Sequence, residues 1–420
     1  MFKAILTAFR IKEIRNKILF TIGILAIYSF GGTITVPGVD ASVITSQVET
    51  GVIGMMDLFS GGALGRFAVF SLGIMPYITA TIIMQLLQVV IPKLEMLAKQ
   101  GEVGRRKINQ ISRYLTAGLA LVQSVAMVFY FRGFGAIPQF DFMHVSLIVL
   151  TLTAGTTIIM WLGELINVHG IGNGISLIIF ASIVSRLPGQ FISLFRLRGG
   201  DIVYIILFLL ISVGVVMAVI MIQQGERRIP VQYAKRVVGR KVFGGQSTYI
   251  PLKVNQSGVM PIIFAVSVLL FPATIAQFIP NQFIQSFAQA LSATTEGGLN
   301  PIYAVVYTLL IIFFAYFYTA ITFNPIDTAD NLRKYGGFIP GIRPGKNTAD
   351  YLTNILNRIT LPGAIFLALV ALMPELLINY MQLPFQFGGT SIIIAVGVAL
   401  DTMRQLESQL TMRDYEGFLK

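Results

Sequence analysis

The 420-residue chain has no cysteine, two histidines and one tryptophan, and its charged residues, 31 Lys plus Arg and 19 Asp plus Glu, make up only 12% of the total. Without cysteine there is no disulfide, no thiol nucleophile and no thiolate metal site. His144 and His169 are too few and too far apart in sequence to suggest a metal centre. A soluble domain carries about a quarter of its residues as charges, so the deficit excludes an ordinary soluble enzyme. What fills the chain instead is apolar: 55% of residues are hydrophobic and the mean hydropathy is +0.76. That is more apolar surface than a water-facing fold could hide, and the chain reads as an integral membrane protein.

A bilayer core about 30 Å thick needs about 20 apolar helical residues. Ten uncharged runs approach or meet that length: Ile18 to Val36, Gly73 to Ile91, Leu115 to Phe131, Ser146 to Gly163, Gly174 to Ser185, Ile202 to Ile222, Gly258 to Ile275, Tyr303 to Phe323, Thr360 to Pro374 and Gly388 to Leu400. The first follows Lys3, Arg10, Lys12, Arg15 and Lys17 as a signal sequence would. It lacks a convincing cleavage site before Val36-Pro37-Gly38 and reads as a retained helix. Counting Lys and Arg on alternate sides gives 26 on the side holding both termini and 5 on the other, with acidic residues split 12 and 7. The positive-inside rule then puts both termini in the cytoplasm, and most of the formal +12 is topology. Ten helices divide as five plus five. An odd number per half makes the second half enter the membrane inverted, which predicts a site at the interface between halves near the midplane.

The usual chemistry is missing. No Asp, Glu, His, Lys or Arg sits mid-span as an ion-coupled transporter would require, and Glu164 and Asp401 lie at cytoplasmic helix ends. Gly170-Ile171-Gly172-Asn173-Gly174 joins two membrane helices, follows no strand and lacks the downstream acid of a dinucleotide loop. No Walker A, HExxH or GxSxG sequence occurs, and two loop histidines give no credible triad. A secondary transporter for a small solute fits the helix count but lacks coupling groups. An intramembrane hydrolase or lipid transferase lacks a nucleophile or metal constellation. The chain reads as a non-enzyme with no cofactor and no metal.

Between the first two spans, Gly51 to Phe70 carries the apolar stretch Met55-Met56-Asp57-Leu58-Phe59, too short to cross a membrane. Such a segment is either a re-entrant element buried in protein or an interfacial helix on the outer leaflet. The stretch Glu226 to Lys253 holds Arg227, Arg228, Lys235, Arg236, Arg240 and Lys241 with turn formers at Gly239 and Gly244-Gly245, and reads as basic fingers projecting into the cytoplasm. Asn324 to Asp350 adds Arg333, Lys334, Arg343 and Lys346. Outside, Phe283, Phe287 and Leu291 at helical spacing predict a segment lying along the interface.

These stretches carry a family resemblance. Trp161-Leu-Gly-Glu-Leu-Ile166 with Gly170-Ile-Gly-Asn-Gly-Ile175, then Gln224-Gly-Glu-Arg-Arg-Ile-Pro-Val-Gln-Tyr-Ala-Lys-Arg236, Gly245-Gln-Ser-Thr248 and Pro251-Leu-Lys-Val-Asn255 closely resemble the SecY family of bacterial protein translocation channels. Phe59-Ser-Gly-Gly-Ala-Leu64, Gly73-Ile-Met-Pro-Tyr-Ile78, Asn324-Pro325, Thr328-Ala-Asp-Asn-Leu332, Gly341-Ile-Arg-Pro-Gly345 and Phe387-Gly-Gly-Thr-Ser391 extend the resemblance over nearly the whole chain in order. The chain departs from the family at Ser29, Leu165 and His169, where an Arg, a Gln and a basic residue are common.

The resemblance implies an all-α integral membrane protein: ten transmembrane helices in two inverted five-helix halves, residues 1–188 and 189–420, around a central pore with a re-entrant plug helix at about 51–70. It puts the family's pore ring on Ile74, Ile78, Ile175, Ile179, Ile263 and Ile394, an apolar constriction that can gate by excluding water. The plug falls on Met55, Met56, Asp57, Leu58, Phe59, Ser60, Gly61, Gly62, Ala63 and Leu64, with the two glycines free to hinge and pack closely. The lateral gate lies between helices 2 and 3 and helices 7 and 8. Thr79, Gln85 and Asn255 lie on or beside those helices and are expected to bond across the seam, each bond worth about 0.6 to 2 kcal/mol. The cytoplasmic loops at about 225–253 and 324–355 become docking surfaces for the SecA motor or the ribosome, through Arg227, Arg228, Lys235, Arg236, Arg240, Lys241 and Arg343. SecE, SecG, signal sequences, precursor polypeptides and membrane lipids complete the implied partners, in the bacterial cytoplasmic membrane.

Overall fold

A computed structural model describes residues 7–48, 51–197, 202–233, 236–238, 241–243, 247–276, 282–291, 294–295, 298–381 and 389–418. In chain order its helices are α1 (Lys12–Gly31), α2 (Ala41–Val48), α3 (Gly51–Ser60), α4 (Met75–Val90), α5 (Pro92–Lys99), α6 (Glu102–Arg132), α7 (Phe142–His169), α8 (Gly174–Leu197), α9 (Ile202–Gln224), α10 (Met260–Ala276), α11 (Gln282–Ala290), α12 (Pro301–Thr322), α13 (Pro325–Lys334), α14 (Lys346–Met381) and α15 (Gly389–Phe418). Each of the ten apolar runs lies on one of the helices α1, α4, α6 to α10, α12, α14 and α15. This follows from lipid, where a backbone amide has no water to bond and helix is the form that pairs every one within the segment.

The helix ends differ from the run ends for a physical reason. The helices α6 and α15 continue far past their apolar runs into segments rich in Glu, Arg and Gln, which are good helix formers in water, and α14 extends past its run through a mixed segment of Leu, Ile, Asn and Thr. The first run instead stops early, at Gly31, where a Cβ would lie 2.0 Å from the Phe70 ring, and Thr35 pairs with Ala68 as an antiparallel bridge. Among the described residues, Lys12–Gly31, Glu102–Arg132, Phe142–His169, Pro301–Lys334 and Lys346–Met373 are long and apolar enough to cross a membrane. Met75–Val90 and Pro92–Lys99 form a sixth candidate, bent by 100°, while Gly174–Gly189, Leu209–Gln224 and Met260–Pro272 are shorter apolar helices. The bend falls at Pro92, whose ring fits the first position of α5 and cannot continue α4.

The ten helices pack as two sets. In the first, α6 packs on α4 and α7, and α7 on α1 and α8; in the second, α12 packs on α10 and α14, and α15 on α9 and α14. The sets meet principally where α4 packs on α10 and where α8 packs on α15. One large buried apolar cluster runs through both sets, from Ile24 to Val398. A smaller one joins Ile14, Ile171, Leu406 and Leu410 between the start of α1 and the later part of α15.

The strands are β1 (Glu226–Tyr233), β2 (Arg236–Val238), β3 (Lys241–Phe243), β4 (Ser247–Lys253), β5 (Thr294–Thr295), β6 (Gly298–Leu299) and β7 (Gly337–Phe338). The stretch expected to project as fingers is anchored at its base. Strand β1 is the middle of a three-stranded antiparallel sheet, Ile229 opposite Ile250 on β4 and Gln232 opposite Phe338 on β7. Its alternation buries Ile229 and Val231 against Leu252, Ile339, Leu352, Ile355 and Leu356. The two long polar stretches, 226–253 and 324–355, therefore form one platform with a core of its own, seated on the start of α14.

Candidate functional site

Five of the six isoleucines singled out above lie on α4, α8, α10 and α15, the four helices along which the two sets meet, and the sixth, Ile74, caps the start of α4. Ile74, Ile78, Ile179, Ile263 and Ile394 are all buried in the central cluster. Ile74 is the residue just before α4, and its carbonyl accepts from Ile78 N at 3.1 Å, so the pair still spans one turn. Ile175 differs. It is half-buried in the first turn of α8, and its Cγ1 lies 3.1 Å from where a Cβ on Gly163 would stand, so it packs over α7.

The half-length helix α3 is buried in protein. It packs on α8 from the first set and α10 from the second, with Met56, Asp57, Phe59 and Ser60 buried, followed by buried Ala63 and Leu64. Of the interfacial and re-entrant alternatives, the buried one is observed. The side chains of Met55 and Leu58 lie outside the described residues. The glycines serve the turn and the close approach. The N–H of Gly62 donates to Asp57 O at 3.0 Å, the Schellman ending of α3, with Gly61 at φ +70° and Gly62 at φ +87°. A Cβ on Gly61 would stand 3.1 Å from Ser182 Cα on α8. The return segment is pinned by Val36 N to Phe67 O and Val69 N to Ile34 O, both 2.9 Å, and Phe67 holds a left-handed backbone at φ +45° while its ring packs edge-on to Phe131.

One contact in this seat was not read from sequence: the buried carboxylate of Asp57 pairs with Arg186 midway along α8. Close by, Tyr28 of α1 shares a 2.6 Å hydrogen bond with Ser182 Oγ and donates to Ser60 O at 3.3 Å. The signal in the sequence was a lone acid inside an apolar half-helix and a lone arginine ending an apolar run.

The expected seam bonds are replaced by local ones. Thr79 Oγ1 donates to Met75 O one turn back on α4, at 3.0 Å. Asn255, buried before α10, donates to Gly258 O at 2.8 Å and accepts from Ser257 Oγ at 3.2 Å. Gln85 Oε1 is buried and finds no partner among the described residues. A hydroxyl in a helix satisfies itself on its own i−4 carbonyl, and an asparagine in a turn caps that turn. A polar cavity of about 290 Å³ opens beside Asn255, lined among others by Gln223, Lys253, Asp401 and Arg404.

On the platform, Arg227, Arg228 and Arg343 are exposed. Arg228 bonds Glu226 at 2.7 Å and lies 4.9 Å from the Tyr249 ring centroid; the Glu226 hydrogen bond holds its pKa above the ordinary arginine value. The Arg343 backbone is fixed by Thr348 Oγ1 donating to its carbonyl at 3.0 Å. Arg236 and Lys241 fall on the paired strands β2 and β3, and Lys235 and Arg240 lie outside the described residues.

Two helical sets meeting through one buried apolar cluster, with a half-length helix packed on both, define a helical membrane channel scaffold. The sequence model of the SecY family matches residues 68–403. Curated relatives include the protein translocase subunit SecY of Streptomyces galbus, 48% identical, and that of Halalkalibacterium halodurans, 47% identical, each over all of both chains. The chain belongs to the SecY family. Among solved structures it is similar to one described as a protein conducting channel, with TM-score 0.66 and 22% identity over 94% of this chain and 92% of that one. It is also similar to one from a canine ribosome-channel complex of the endoplasmic reticulum, with TM-score 0.62 and 20% identity over the same shares.

Proposed function

We propose that this chain is the channel subunit of a bacterial protein translocase, passing unfolded secretory polypeptides across the cytoplasmic membrane and releasing membrane segments sideways into it. The observation that carries the reading is the seating of α3 against α8 and α10, helices that bear isoleucines of the girdle. The ten helices each cross the membrane, in halves 1–188 and 189–420, with both termini in the cytoplasm. Ile74, Ile78, Ile179, Ile263 and Ile394, with Ile175 at the margin, form a dry constriction that excludes ions while closed. Residues 55–64 are the plug, and the halves part between α4 and α10, beside Thr79, Gln85 and Asn255.

The chain is passive and takes no cofactor; its driving force comes from the SecA ATPase or the translating ribosome. Both dock on the sheet platform through Arg227, Arg228, Lys235, Arg236, Arg240, Lys241 and Arg343, basic groups that suit acidic protein surface or RNA phosphate. SecE and SecG are its stable partners. The test is site-specific photocrosslinking from Ile78 and Ile263 to a secretory precursor stalled in transit by a folded C-terminal domain. Crosslinks at both positions, dependent on SecA and ATP, are expected. Crosslinks from the cytoplasmic loops alone would make the chain a docking platform with its pore elsewhere.

A further inference from the structure

We propose that the ion pair between Asp57 and Arg186 is the latch that holds the plug shut, so that charge complementarity, beyond apolar packing, sets the closed state. The proposal rests on the reading of α3 as the plug. The pair joins residues 129 apart in sequence, one on the plug and one on α8. The Asp57 side chain is 1% exposed and that of Arg186 is 24% exposed. A carboxylate that deep has no water to turn to, and separating it from its partner leaves a buried uncompensated charge. One carboxylate oxygen, Oδ2, meets Arg186, while Oδ1 accepts from Gly65 N at 2.9 Å and Ser60 Oγ at 3.3 Å. A single side chain thereby fastens the plug helix to α8 and folds the plug's own return turn. Arg186 lies over that turn, its Nε 3.5 Å from where a Cβ on Gly62 would be.

The other end of the latch is tied to the girdle by helix geometry. Ile179, Ser182 and Arg186 stand at i, i+3 and i+7 and so share one face of α8. At 1.5 Å per residue, Arg186 is about 10 Å along the helix axis from Ile179. Ile179 is in the buried girdle cluster, Ser182 touches the plug's glycine turn, and Arg186 holds the plug's acid. A polypeptide that pushes Ile179 outward moves the whole face of α8, withdraws Arg186 from Asp57, and releases the plug from its seat.

The absence of native cysteine makes the test direct. The full complex carrying Ala63→Cys, a buried position on the plug, is reconstituted in proteoliposomes and treated with a membrane-impermeant maleimide from the outer side. In parallel, resting conductance is read in planar bilayers. Asp57→Asn and Arg186→Gln should each raise labelling about tenfold and raise resting conductance, whereas Arg186→Lys and the swap Asp57→Arg with Arg186→Asp should both stay near the parent. Arg186→Lys, which keeps the charge, and Arg186→Gln carry the comparison if Asp57→Asn fails to accumulate. Unchanged labelling in the charge-removal variants would overturn the latch and leave the plug assignment standing. Labelling that rises with no change in conductance would overturn the plug assignment, and the latch with it.

Discussion

The backbone of Gly174 lies directly on that of Gly163: a Cβ on Gly174 would stand 1.9 Å from the Gly163 carbonyl oxygen and 2.9 Å from Ile166 Cβ. This crossing sets how α8 leaves α7, and so where α8 carries Ile179 and Arg186. Asn167 Oδ1 accepts from Gly174 N at 2.7 Å and Asn173 Oδ1 from Ile175 N at 3.1 Å, fixing the turn from both sides. The glycines at 170, 172 and 174, which in sequence resemble a nucleotide loop, are there because two membrane helices turn back on each other with no room for a side chain.

Gly174→Ala should therefore destabilise the fold by at least the 1 to 3 kcal/mol, roughly, of an overpacked core, because the obstructing atom is backbone and cannot rotate away. Gly118→Ala is the matched control. It lies mid-helix in α6 with nothing within 4 Å of its Cβ position, so the change should be neutral or stabilising by up to about 1 kcal/mol. Thermal unfolding of the purified complex in detergent separates the two: a melting temperature for Gly174→Ala equal to that of Gly118→Ala would show that α7 and α8 part easily.

The ten apolar runs were legible because lipid enforces helix on whatever is apolar for long enough, and the buried half-helix α3 was legible as an apolar stretch too short to span. What was not legible depended on partners distant in sequence. The pairing of Gln232 with Phe338 involves a strand of two residues, too short for any periodic pattern. The pairing of Asp57 with Arg186 joins two isolated charges that only the fold brings together. The hydrogen bonds of Thr79 and Asn255 differ from the expected ones for the opposite reason. Each has a local acceptor within a turn of its own backbone, and a local bond forms before a distant one can compete.

The platform yields a second prediction, in which two substitutions fail differently. Val231→Asp puts a carboxylate at a fully buried point of the sheet, in an apolar cluster with Leu252 and Ile339. The sheet should open and the cytoplasmic loops should become sensitive to limited proteolysis, with docking of SecA or the ribosome lost as a consequence. Arg343→Glu changes an exposed side chain whose backbone stays held by Thr348. It should leave proteolysis unchanged and impair motor-driven export through charge reversal alone. Normal ATP-dependent export by Arg343→Glu would remove Arg343 from the docking surface.

The proposed girdle distinguishes among its six isoleucines. Ile78 and Ile263 are buried in the central cluster on α4 and α10, the helices that join the two sets, whereas Ile175 is half-buried and packs over Gly163 on α7. Removing Ile78 and Ile263 together, as Ile78→Gly with Ile263→Gly, takes apolar volume from the place where water must be excluded, and leaves a gap that rigid helices fill only in part. Resting ion conductance in planar bilayers should rise. Ile175→Gly should raise it far less, because the volume it vacates lies against α7 and leaves the seal intact. Equal leaks from the two constructions would put Ile175 in the seal and require α8 to rotate between its seated form and the conducting one; no leak from the double variant would place the seal with the plug alone.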